Sequence, residues 1–82
     1  MFDEIENLLS QNLKNSRISI GDLTGTGDHL DIQVISDEFV DLPLLQQHQK
    51  VMDILNKRFS EDLHAIRLKT LTFEKAKKKG LI

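Results

Sequence analysis

Residues 63–71 read Leu63-His64-Ala65-Ile66-Arg67-Leu68-Lys69-Thr70-Leu71 (LHAIRLKTL). Apolar and polar residues alternate along it, the two-residue period of a strand with one covered face. The stretch follows a long helical pattern, which itself follows another alternating run, Leu30-Asp31-Ile32-Gln33-Val34. Strand, helix and strand in succession form a crossover, and crossovers join parallel strands. Residues 63–71 therefore turn what would be a hairpin flanked by helices into a mixed sheet.

Upstream, Leu44, Leu45, His48, Val51, Met52, Leu55 and Phe59 form the apolar stripe of a helical region, either one helix or two with a break near Leu45. Asp41 is its expected cap, with Pro43 in the first turn. Further upstream, Arg17 to Leu23 (RISIGDL) alternates as a first strand. Thr24-Gly25-Thr26-Gly27-Asp28 carries hairpin-turn residues. Phe2, Ile5, Leu8, Leu9 and Leu13 fall at helical spacing behind Asp3, Glu4 and Glu6, which predicts a helix over roughly 2–15. Downstream, Thr72 caps a short basic helix that ends at Gly80. The expected order is αββα(α)βα, an α+β fold in one domain spanning residues 1–82. Its three-stranded mixed sheet has the second strand in the middle and helices packed on one face.

That topology has a chemical consequence. His29 begins the second strand and His64 the third. If the two strands are parallel neighbours, both histidines belong to one end of the sheet, about one strand spacing apart.

Composition narrows the function classes. The 82 residues include no Cys, Tyr or Trp, and 39% are apolar. That apolar content suffices for a core, so disorder is not expected. Without cysteine there is no disulfide, no thiolate metal site and no cysteine nucleophile. A secreted domain this small would usually be stapled, so a cytoplasmic location is expected. The acidic N-terminus does not read as a signal peptide, and no apolar run is long enough to span a membrane. The net charge of −2 conceals a gradient. Residues 1–41 sum to −7 (nine acids against Lys14 and Arg17), and residues 64–82 sum to +5 (six bases against Glu74). The bases are Arg67, Lys69, Lys75, Lys77, Lys78 and Lys79, a candidate docking or nucleic-acid-binding patch.

Neutral imidazole is a good iron ligand and replaces cysteine on one iron of Rieske-type clusters. A chain without cysteine can offer a metal only nitrogen or oxygen ligands. The plainer account makes His64 a strand-end residue and His29 a loop residue. His48 lies on the apolar stripe and reads as structural. Gly25-Thr26-Gly27 lacks the Lys-Ser/Thr of a phosphate-binding loop. No nucleophile and base stand at a catalytic spacing, so an enzyme is not expected.

Three segments resemble the BolA family: Ile35-Ser36-Asp37-Glu38-Phe39 (ISDEF), the spacing of Leu42 through Val51 and Leu55, and Leu63 to Thr70 (LHAIRLKT). The third surrounds what is an invariant histidine in that family, here His64. The chain departs from the family at Asp41, where Gly is usual, at Gln47, where Arg is usual, and at Met52, which replaces a common aromatic. The resemblance implies a fold similar to a type II KH domain and partnership with a monothiol glutaredoxin. In such a complex the glutaredoxin cysteine, glutathione and a BolA-like histidine hold a [2Fe–2S] cluster. It implies His64 as a ligand, with His29 in the loop region that supplies a second. Whether the cluster-free chain forms a homodimer is left open. The alternative function is a DNA- or RNA-binding transcriptional regulator on the same KH-like fold. Against that alternative, the chain has no glycine between Gly27 and Gly80 to form the GXXG clamp of a KH domain.

Overall fold

The structure is a computed structural model that describes residues 2–23, 29–59 and 65–82. Its elements are α1 (Phe2–Asn12), β1 (Arg17–Asp22), β2 (His29–Ile35), a 3₁₀ turn (Asp37–Phe39), α2 (Leu44–Phe59), β3 (Ala65–Leu71) and α3 (Phe73–Lys78). The sheet order is β1-β2-β3. β1 and β2 are antiparallel, and β2 and β3 are parallel. This is the expected mixed α+β sheet with β2 in the middle.

The two-residue period explains the core. Leu30, Ile32 and Val34 of β2 are fully buried. They pack with Ile5 and Leu9 of α1, with Leu13 just after it, and with Val51, Leu55 and Phe59 of α2. Those helical residues recur every four positions, which lines them along one stripe. Ile18 and Ile20 of β1 and Ile66 and Leu68 of β3 border the same core.

The expectation of helices on one face holds for α1 and α2 but not for α3. Ile35 and Leu71 are out of phase with the core residues of their own strands, so they point to the opposite face. They are in register with each other. Ala76 of α3 packs on them, with Phe73 alongside, in a second small cluster. The helix thus caps the far end of the otherwise open face. Thr72 is its N-cap, its hydroxyl accepting from Lys75 N. Gly80 adopts φ +73°, and the bonds Gly80 N to Lys77 O (3.1 Å) and Leu81 N to Ala76 O (2.9 Å) form a Schellman stop.

Three local expectations are corrected and one open alternative is decided. α1 stops at Asn12 rather than near residue 15. The helical region is one unbroken helix preceded by the 3₁₀ turn. Asp41 does not cap it. Asp41 sits at φ +64°, in the left-handed region, and the first helical hydrogen bond runs from Gln47 N to the Pro43 carbonyl at 3.0 Å. The capping position therefore belongs to Pro43, and Asp41 stands two residues outside it. The left-handed conformation of Asp41 explains why glycine suits its position. Leu44 and Leu45, assigned to the apolar stripe, are 59% and 70% exposed. The buried side chain of that first turn is Gln47.

Candidate functional site

His29 is the first residue of β2, and its side chain is exposed. Its carbonyl accepts from Leu23 N at 2.8 Å, which closes the hairpin at this level. Across the parallel pair, His29 is in register with Ala65. Ala65 directly follows His64 in the chain. His64 itself lies outside the described residues, as does the turn predicted over 24–28 with Gly25-Thr26-Gly27. His48 is half-buried on the flank of α2.

His29 shares a face with Asp31 and Gln33, because strand side chains alternate. The register sets out rows across that open face. Gly21, Asp31 and Arg67 form one row, and Ser19, Gln33 and Lys69 the next. These six residues line a shallow polar depression, with Ile20 at its side. Arg67 and Lys69 are exposed, and neither is ion-paired among the described residues. The outward face of the sheet is thus polar, and its positive charge is concentrated on β3.

The structure divides the basic residues predicted as one patch. Arg67 and Lys69 stand on the open face of the sheet. Lys75, Lys77, Lys78 and Lys79 stand on and just after α3, beyond Ile35 and Leu71. β2 runs from His29 to Ile35, and six residue steps span roughly 20 Å. The α3 lysines are therefore at the opposite end of the sheet from His29. One of them is engaged, since Lys78 pairs with Glu74 at 3.2 Å.

Sequence reasoning missed the polar framework beneath these surfaces. Gln47 is 5% exposed and Thr70 6%. The Thr70 hydroxyl donates to Gln47 Oε1 at 2.8 Å, and Gln47 Nε2 donates to the Leu42 carbonyl at 2.8 Å. The buried Ser36 hydroxyl donates to the Lys14 carbonyl at 2.7 Å and accepts from Glu38 N at 3.1 Å. Asn15 donates to Asp37 at 2.8 Å. The segment 36–42 is therefore tied to α2, β3 and the end of α1 by side chains that satisfy buried polar groups. A glutamine at i+3 from an apolar helix start was the available signal, but polarity alone assigns such a residue to the surface.

Among the described residues, no group of three or more His, Cys, Asp or Glu is placed to hold a metal ion. No described helix is long and apolar enough to cross a membrane.

Comparison with known proteins agrees with the fold. Residues 4–75 match the family model described as BolA-like protein. A relative from Rickettsia prowazekii (strain Madrid E), the uncharacterized protein RP812, is 33% identical over 70 residues, covering 85% of this chain and 91% of the relative. Among solved structures, a BolA protein homologue from Coxiella burnetii superposes with TM-score 0.76 at 28% identity, covering 94% of this chain and 96% of that one. BolA1 from Arabidopsis thaliana superposes with TM-score 0.80 at 19% identity, covering 89% and 92%.

Proposed function

The chain belongs to the BolA-like protein family, and from that membership we propose that it is a non-enzymatic accessory protein that binds a monothiol glutaredoxin and co-ligates or transfers a [2Fe–2S] cluster. His64 is the proposed ligand and His29 the second. The observation that carries the reading is the register of the parallel pair, in which His29 stands opposite the residue that follows His64. In this reading one end of the sheet offers two imidazoles to the same guest.

The donor chemistry fits a shared cluster. The chain has no cysteine, so its contribution to iron is nitrogen, and the thiolates come from the glutaredoxin and glutathione. An exposed imidazole at a strand end, such as His29, meets a partner-held cluster without opening the core. The chemistry would be ligand exchange at iron, in which an imidazole nitrogen takes the place of one thiolate, the displaced thiolate leaving free, with no catalytic turnover. The reducing cytoplasm, where such clusters and free glutathione coexist, is the proposed setting.

The test is to mix the protein with a cluster-loaded monothiol glutaredoxin and record visible absorption, circular dichroism and size exclusion. The expected outcome is a heterocomplex whose cluster spectrum changes with the wild type but not with His64→Ala, while His29→Ala has an intermediate effect. An unchanged spectrum and no complex with the wild type would remove the assignment and leave the fold untouched.

A further inference from the structure

β1 and β3 are the two edges of the sheet, and they are guarded differently. The outer flank of α1, over β1, carries Asp3, Glu6 and Ser10, all exposed. Polar and charged cover of this kind keeps another strand from adding to an edge. α2 presents the opposite character over β3. Its flank toward α1 carries Lys50, Ile54 and Arg58, and Arg58 lines the cleft between the helices with Leu8 of α1. The helical period then turns Leu45, His48 and Met52 away from α1, to the side of β3's free edge. Leu45 is 70% exposed, and His48 and Met52 are half-buried.

The floor beside that flank is apolar and open. Ile66 and Leu68 of β3 face α2, yet they are only half-buried at the border of the core. Among the described residues β3 is paired with β2 alone. Ser36 N donates to the Leu71 carbonyl at 3.1 Å, so Leu71 directs its backbone toward β2. Backbone groups alternate sides along a strand. The N–H and C=O groups of Ile66, Leu68 and Thr70 therefore point out of the sheet, along the free edge.

We propose that this edge of β3, with the α2 flank above it, is a docking groove for an extended segment of a partner protein in which apolar and acidic residues alternate. The edge backbone, unpaired among the described residues, calls for an extended main chain, as in recognition by strand addition. The side chains of an added strand alternate between two environments. Those on the α2 side meet Ile66, Leu68, Met52 and Leu45. Those on the open side meet Arg67 and Lys69, two exposed cations with no ion-pair partner among the described residues. The groove thus specifies both the shape and the charge of its occupant, independently of the histidines.

The test uses fluorescence anisotropy with a short, blocked, labelled peptide of alternating valine and glutamate, its lysine-for-glutamate counterpart, and a version N-methylated at the amides facing β3. The glutamate peptide is expected to bind and to slow hydrogen exchange at the Ile66, Leu68 and Thr70 amides. Arg67→Glu with Lys69→Glu should weaken it about tenfold, as expected for losing and reversing two exposed charges. Leu45→Glu should weaken it too, and N-methylation should abolish binding to the unaltered protein whatever the variants do. Equal or tighter binding of the lysine peptide, or unprotected β3 amides, would overturn the proposal. So would a single-stranded oligonucleotide that protects the same amides and displaces the glutamate peptide, since the groove would then belong to nucleic acid.

Discussion

Gln47 shows how one residue joins separate parts of the molecule. Its amide oxygen accepts from Thr70 on β3, and its amide nitrogen donates to Leu42 ahead of α2. Thr70 is buried and Leu42 half-buried, so removing the amide leaves the Thr70 hydroxyl unpaired away from water, a cost of about 1–3 kcal/mol. Gln47→Leu should lower stability by that amount in urea denaturation. Adding Thr70→Val should recover part of the loss, because the orphaned hydroxyl is then gone. Equal stability of the single and double variants would show that the orphaned hydroxyl carries no penalty, and an unchanged Gln47→Leu would show that the hydrogen bonds of Gln47 contribute nothing. Asp41 illustrates the converse problem. Aspartate before a helical pattern reads as a cap, but here the chain reverses through it at φ +64°. The departure from the family's usual glycine pointed to this position, and only the backbone angle gave the reason.

At the scale of elements, α3 depends on its ends. Six residues are too few for an isolated helix to persist in water. Its order rests on the Thr72 cap, the Gly80 stop and Ala76 against Ile35 and Leu71. Thr72→Ala should cost about 1 kcal/mol. The loss should appear as faster hydrogen exchange in α3, with β2 little changed, and uniform acceleration across the protein would contradict this local account. The cap and the stop were both readable from residues 72–80. The face that α3 covers was read wrongly, although a signal existed. Ile35 and Leu71 are apolar residues out of phase with the strands that carry them, and two such residues side by side need a cover of their own.

For the whole molecule, the separation of the basic residues matters most. The lysines of α3 and the His29 end of the sheet stand roughly 20 Å apart, the length of β2. That is more than twice the screening distance of about 8 Å at physiological salt. Charge on α3 can therefore steer or hold a partner without acting on the cluster proposed for the histidine end. On the proposed function, reversing Lys77, Lys78 and Lys79 to Glu should weaken association with the proposed glutaredoxin partner and flatten its salt dependence, while the spectrum of the complex at saturation stays that of the wild type. Unchanged affinity would remove α3 from the interface. A changed spectrum would show that the two ends are not separate.

The sequence by itself determined the order of elements, the mixed sheet, the stripe of Val51, Leu55 and Phe59, and the place of His29 at the start of β2. Each follows from a local period or a short turn motif. Tertiary structure alone decided which face α3 covers, which edge of the sheet has an apolar wall, that Gln47 is buried while Leu44 and Leu45 are exposed, and that the six cations form two groups. These depend on which surfaces meet. A side chain's burial is set by the element across from it, and the local pattern of its own segment carries no record of that neighbour.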